Sequence, residues 1–339
     1  MAFITFQPND YFNTKLTSGN SSTQAVTGVG FSPSLVWGKN RSGTQGHQLL
    51  DVLRGANNVL VSNNNDGAVA DSQILNSFDS DGFTLGSQDQ LNDTGQTYVF
   101  WNWKAGTTSG ISAGSQSITP SAYSINTTAG FGIYKWSRTG ASTTDFFSHG
   151  LGATPTIAIQ KRTDLAQDWY VNYTVVDGSN DNLHLNKTDA KEDDSTTVPT
   201  STNYYPKSPE TGDYITYLFT PKVGFSKFGS YTGNGNTDGV FIYTGFKPAW
   251  FLVKKSSASG EDWAIYDNKR NTFNEVDEAL FPSATTAETN VGDGVDFCSN
   301  GVKIRDSGGE LNTSGATYIF MAFAESPIVS SNGVPATAR

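Results

Sequence analysis

Apolar and polar residues alternate in short runs along almost the whole of this chain, and clusters of Gly, Asn, Ser and Thr separate the runs. Alternation over about four to eight residues puts every second side chain on one face of a strand. It predicts strands over residues 24–28, 34–39, 48–53, 58–62, 74–78, 83–86 and 97–104, with a hairpin-type turn at 18–22. The last of these strands is unlike the rest. Tyr98, Phe100 and Asn102 take one face while Val99, Trp101 and Trp103 take the other, so both faces are largely apolar. Such a strand needs cover on both sides, at the centre of a sandwich or at an interface between modules. Helical spacing occurs only at 274–280, where Val276, Ala279 and Leu280 share a face. The corresponding residues 57–61 read as strand or turn, so very little helix is expected.

The pattern repeats. GFSPSLVWGKN from Gly30, GATPTIAIQKR from Gly152 and GFKPAWFLVKK from Gly245 share a proline, at Pro33, Pro155 and Pro248, followed six residues later by Lys39, Lys161 and Lys254. Each is answered downstream by a glycine and an aromatic strand: GQTYVFWNWKA from Gly95, GDYITYLFTPK from Gly212 and GATYIFMAFAE from Gly315. Only the outer copies share Asp51-x-x-Arg54 with Asp267-x-x-Arg270, and Phe78-x-x-x-Gly82 with Phe297-x-x-x-Gly301. This predicts an all-β chain of three tandem β-sandwich modules, each of roughly 100 residues and able to hold its own core. The expected boundaries are 1–106, a small polar linker at 107–122, a divergent module at 123–222 with a long polar insertion at 186–213, a third module at 223–327 and a tail at 328–339. Trp37, Trp101, Trp103, Phe251, Phe320 and Phe323 fall near the repeat landmarks and are expected in cores.

Composition narrows the class. Aromatics make up 12% of the chain and charged residues 16%, which excludes a disordered protein. A net charge of −10 without any basic run excludes a phosphate-tracking nucleic-acid surface. One cysteine, Cys298, makes no internal disulfide and reads as a buried thiol in the apolar phase of its strand. The N-terminus has neither the basic region nor the apolar core of a signal peptide, and no apolar run approaches the roughly 20 residues that cross a bilayer. A soluble protein outside the Sec pathway is expected.

Candidate chemistry is sparse. Gly110-Ile111-Ser112-Ala113-Gly114 fits the G-x-S-x-G nucleophile elbow but lies in a Gly/Ser/Thr linker with no helix behind it. His47, His149 and His184 share no place in the repeat and offer no zinc spacing. The Asn/Asp turns at 63–67 and 79–82 put Gln73 and Gln88 where a calcium loop needs its bidentate Glu. The glycine-rich run 233–239 precedes a strand rather than a helix and reads as a hairpin loop. A glycosidase-like carboxylate pair among the 32 acids stays open, but the repeated Asp-x-x-Arg reads as a structural ion pair. No catalytic residue, metal ligand or cofactor is assigned.

Taken together, the proline–lysine landmark, the Asp-x-x-Arg pair, WNWKAG at 101–106, SKFGSYTGNGNTDGVFIYTGF at 226–246 and TYIFMAFAESP at 317–327 resemble a family of repeated domains in virion structural and tail-fibre-like proteins of marine tailed phages. The resemblance spans nearly the whole chain and is weakest in the middle copy. It implies lectin-like or jelly-roll sandwiches, a place in the virion and assembly in the host cytoplasm, and it carries no functional residues. The first reading is therefore a non-enzymatic virion component, in a tail fibre or tail appendage ahead of a capsid decoration. The alternative is a carbohydrate-binding receptor module, with a depolymerase third. A scaffold needs no exposed aromatics, whereas a glycan reader needs a flat ring beside Asn or Asp. Other virion proteins and two further copies of the chain are the expected partners, with a host glycan or protein for the attachment reading, because apolar strand faces in serial modules call for cover. If there is a recognition surface, the insertion is its expected place, at Asn203, Tyr204 and Tyr205; the plainer reading, and the favoured one, is that the two tyrosines pin the loop to its own sandwich or to a neighbouring subunit.

Overall fold

The computed structural model describes residues 7–109, 111, 116–140, 144–207, 210–329 and 335–336. All ladders between its strands are antiparallel and each stays within one third of the sequence. The fold is all-β, as the alternation predicts. The expected strands form with small shifts at their ends, for example Leu35–Asn40 and Thr97–Trp103, and an unforeseen strand, Phe12–Ser18, precedes them. The only α-helix among the described residues is the four-residue Asp89–Asn92.

Residues 274–280 do not make a helix; they contain the strand Val276–Ala279, paired with Thr289–Cys298. A register shift between Val276 and Glu278 puts Val276 and Ala279, three apart, both inside. The surplus residues of this irregularity lie on the partner strand, five steps against two, and the break in the ladder is what allows the spacing that reads as helical.

One strand order occurs three times. In the first third the aromatic strand Thr97–Trp103 lies between Phe12–Ser18 and Leu35–Asn40, with Gln48–Asp51 beyond. In the middle third Gly212–Phe219 lies between Phe131–Arg138 and Ile157–Arg162, with Tyr170–Tyr173 beyond. In the last, Thr317–Ala324 lies between Ser226–Thr232 and Pro248–Lys255, with Ala264–Asp267 beyond. The ladders also fix equivalences. Lys39, Lys161 and Lys254 pair with Val99, Ile215 and Ile319, and two residues on along the aromatic strand stand Trp101, Tyr217 and Met321. Counting back by the same register, Gly95 and Gly315 correspond to Thr211 rather than to Gly212. Gly95 and Gly315 have φ of +83° and +76°, the left-handed region that favours glycine at the turn into the strand.

Each aromatic strand is buried on both faces, as its sequence requires. One face packs inside its own third: Tyr98 and Phe100 with Phe83 and Leu50, Tyr214 and Leu218 with Trp136 and Phe147, Tyr318 and Phe320 with Phe251 and Phe297. The opposite faces of all three thirds meet in one common core that includes Trp37, Trp101, Trp103, Tyr217, Trp250 and Phe323. The six core aromatics expected from sequence are all at most 3% exposed. At the centre the packing leaves a cavity of only about 10 Å³ between Trp103, Tyr217, Trp250 and their neighbours. The thirds therefore close on one another, and the faces that seemed to call for further copies are covered within one chain.

Candidate functional site

The repeated lysines mark the seams between the thirds. Lys39, Lys161 and Lys254 follow the inward phase of their strands and are fully buried at its end. Each ammonium donates to the carbonyl of the next residue, at 2.6, 2.9 and 2.9 Å. Lys39 also reaches Thr285 O of the last third and Lys161 reaches Asn65 O of the first. Two residues beyond each lysine a carbonyl accepts an N–H from a neighbouring loop: Arg41 O from Glu288, Thr163 O from Ala68, Ser256 O from Lys191. The partner thirds run last, first and middle, so the contacts go round a closed ring in one direction, as in a head-to-tail cyclic trimer.

Aromatic donors follow the same cycle. Trp169 Nε1 donates to Val61 O and Trp263 Nε1 to His184 O, both at 2.9 Å. His47 holds the corresponding place against the last third. It accepts from Trp37 Nε1 at 3.0 Å, and burial together with the nearby Lys39 and Arg270 charges holds its pKa well below the usual histidine value. The histidine positions that looked unrelated in sequence thus include one that stands in for a seam tryptophan. The signal was its distance of eight residues from the landmark lysine, the same as that of Trp169.

Burial holds all three ammoniums down to about 8, against a model-peptide value of 10.5. Between those values the unfolded chain keeps a proton that the native protein has released, so stability rises with pH through this window. Below about 8 both states carry the charge and the native protein bears its full burial cost. The urea midpoint is accordingly expected to be higher at about pH 9.5 than at about pH 7.5. The slope should flatten when Lys39, Lys161 and Lys254 are all replaced by Met. A midpoint unchanged or falling over this interval counts against the buried placement.

The Asp-x-x-Arg pairs are structural, and they too bridge seams. Arg54 Nε donates to Asp51 Oδ2 at 2.6 Å, and the Tyr217 hydroxyl of the middle third donates to the same oxygen at 2.8 Å. Arg270 Nε donates to Asp267 Oδ2 at 2.6 Å, and Trp101 Nε1 of the first third donates to that oxygen at 3.0 Å. In the third seam the donor position is Met321, and the Asp and Arg positions are Tyr173 and Val176. A thioether donates nothing, so a buried carboxylate there would lose its cross-seam partner.

The residues expected at a recognition surface are placed differently from one another. Tyr204 is 1% exposed, in a short strand paired with Phe147–Ser148, and its ring lies 5.4 Å from that of Phe147. It serves as core of the middle third, because its partner strand brings an apolar ring against it. Tyr205 is half-buried beside Phe146, and Asn203 is half-buried with its N–H on Thr200 Oγ1. Part of the insertion does have a counterpart: Lys191 makes the seam contact that Ala68 and Glu288 make elsewhere. Cys298 is half-buried rather than buried, because Val295 and Phe297 take the core phase of its strand. Of the G-x-S-x-G pentapeptide, only Ile111 falls within the described residues. Among the described residues no group of three His, Cys, Asp or Glu is placed to hold a metal ion.

The most accessible aromatic pair belongs to the edge strand Phe241–Tyr243. Ile242 points into the core while Phe241 and Tyr243 are 44% and 66% exposed on the outer face. Residues two apart on a strand stand roughly 7 Å from each other, so the rings form a short platform. Gly301 pairs with Tyr243, and the preceding Asn300 is exposed. Lys303, opposite Phe241, is tied to Asp238 at 2.7 Å. FIYTGF carries this alternation openly, yet without the sheet order the outer phase cannot be told from the inner one.

Residues 7–327 match the family described as a domain of unknown function, DUF7483. No curated protein and no solved structure matches the chain.

Proposed function

Because the chain belongs to the DUF7483 family, a domain of unknown function, its role has to be argued from its own residues, and we propose that it is a non-enzymatic structural component of a tailed-phage virion, in a tail fibre or tail appendage. The observation that carries this reading is the use made of the recurring polar residues. Lys39, Lys161 and both Asp-x-x-Arg pairs are buried and bonded across seams, and Lys254 is buried at the equivalent place, which is how a scaffold uses such groups. A single chain that closes its own ring without disulfides also suits a particle assembled in a reducing cytoplasm. The expectation of three copies rested on apolar faces that are now covered in one chain, so it retains only the family resemblance as support. The test is to map density and mass-spectrometric peptides of this chain on purified particles. Density on the tail is expected, and absence of the chain from intact particles overturns the proposal.

A specific observation favours carbohydrate binding as a second role: Phe241 and Tyr243 offer flat exposed rings beside Asn300, as a glycan reader needs. Replacing both rings with Ser is expected to lower adsorption of otherwise intact particles to host cells by tenfold or more, about 1.4 kcal/mol. Unchanged adsorption removes this role and leaves the structural one untouched.

A further inference from the structure

Each seam is crossed by a strap from the neighbouring third, and two of the three straps rest on a tryptophan where the last rests on a histidine. The strap at 61–68 presents Val61 O to Trp169 Nε1, Asn65 O to Lys161 Nζ and the Ala68 N–H to Thr163 O. The strap at 184–191 presents His184 O to Trp263 Nε1, Thr188 O to the Gly260 N–H and the Lys191 N–H to Ser256 O. In the strap at 281–288, Thr285 O meets Lys39 Nζ and the Glu288 N–H meets Arg41 O. Contacts thus fall at 61, 65 and 68 and at 184, 188 and 191, and the same spacing back from 288 and 285 brings the Phe281 carbonyl to His47. Next along this strap Pro282 O is held by Ser62 Oγ at 2.6 Å, and the Ser62 N–H donates to His47 O, so the strap lies directly on the segment that carries the histidine.

His47 is fully buried there. Its Nδ1 accepts from Trp37 Nε1 at 3.0 Å, which places the single proton of the neutral ring on Nε2. Nε2 has no hydrogen-bond partner, so this strap also lacks the indole bond that holds the other two. A second proton goes to Nδ1, against the Trp37 N–H, and turns a hydrogen bond into two facing donors.

The surrounding charges do not compensate. Lys39 and Arg270 are the charged groups that act on His47, and both are cations. The carboxylates of this seam are already engaged, Asp267 with Arg270 at 2.6 Å, and Glu288 with Arg41 at 2.6 Å and Arg270 at 3.1 Å. The rings of Trp37 and Trp101, both 6.0 Å away, carry no charge. A charged His47 is therefore relieved by water, and the strap keeps water out. The other histidines stand differently. His184 heads the middle strap, but it meets Trp263 through its carbonyl, and its Nδ1 lies 3.7 Å from Asp189, which can balance a charge. His149 belongs to the inside of the middle third, bonded to the Leu151 N–H and Thr200 O.

We propose that the strap at 281–288 is released by acid: protonation of His47 lifts it off the first third, while the straps at 61–68 and 184–191, seated on tryptophan, stay closed. Lifting exposes the imidazole and takes up a proton, so it becomes easier as pH falls. The inference does not depend on the virion assignment or on the Phe241–Tyr243 platform. The test is amide hydrogen exchange of the full chain by NMR at pH 7.0 and pH 5.5, corrected for the intrinsic rates, read at the three seam-crossing amides of Ala68, Lys191 and Glu288. Protection of Glu288 is expected to fall about eightfold over this interval, the factor for one proton taken up at an ordinary histidine value of about 6.5, while Ala68 and Lys191 keep theirs. His47→Trp, which copies Trp169 and Trp263, and His47→Gln, which keeps an acceptor for Trp37 Nε1, should each abolish the fall. Unchanged protection of Glu288, an equal fall at all three amides, or a fall that survives His47→Gln overturns the proposal. Should one of the two variants fail to fold, the other decides by the same criterion.

Discussion

Replacing Arg270 by Ala is expected to destabilise the protein by about 3–5 kcal/mol, read as a loss in the denaturant midpoint. The guanidinium is fully buried and makes four kinds of contact at once: Asp267 Oδ2 at 2.6 Å, Glu288 Oε2 at 3.1 Å, Ile265 O at 2.8 Å and the face of Trp101 at 5.8 Å. Its removal leaves the Asp267 carboxylate buried with only Trp101 Nε1 and backbone N–H groups as donors. It also frees Glu288, whose other partner is Arg41 of the first third at 2.6 Å. The loss is therefore of an unpaired buried charge and of a tie between two thirds. Arg270→Met combined with Asp267→Asn takes away the charge with its partner and should recover a substantial part of the loss. A double variant no more stable than Arg270→Ala would show that the carboxylate is not the source of the cost. The matching Arg54→Ala should behave alike, with Tyr217 in the place of Trp101.

Trp250→Ala is expected to cost a further 3–5 kcal/mol or so, by lost burial and the cavity left behind. The indole is 1% exposed and stands against Trp101, Trp103 and Phe12 of the first third and Phe323 of its own, at ring distances of 5.6 to 6.4 Å. A void of about 10 Å³ already sits beside it, and the space left by the indole would add to that void. Because the common core draws on all three thirds, wild type should unfold in one calorimetric transition with matching calorimetric and van't Hoff enthalpies. Separate transitions for the thirds, or a cost for Trp250→Ala below about 1 kcal/mol, would contradict a core shared in this way.

Much of the fold was legible because it is written locally. Alternation found Leu35–Asn40, Gln48–Asp51 and Asn58–Val61, and the two apolar phases of residues 97–104 announced that both faces would be covered. Misreadings followed from the same locality. The spacing at 274–280 imitated a helix because a break in the ladder, a feature of pairing between strands, allows it. Tyr204 read as a loop residue, since its two-residue strand exists only through its pairing with Phe147–Ser148. Little of the seam was visible: the landmark lysines and Asp-x-x-Arg pairs stood out as repeats, but their partners at Thr285, Asn65, Tyr217 and Trp101 lie 96 to 246 residues away in sequence.

The sequence by itself determined the all-β class, the recurring landmarks and the demand that each aromatic strand be buried twice, because side-chain alternation and turn chemistry act over a few residues. Only the tertiary structure decided what meets that demand. The second faces cover one another in a ring rather than waiting for another chain, and one strap lies on His47 where the other two lie on tryptophan. Which face meets which, and which strap lies on which ring, depends on the shape and volume of groups brought together from all three thirds, and no local pattern carries that information.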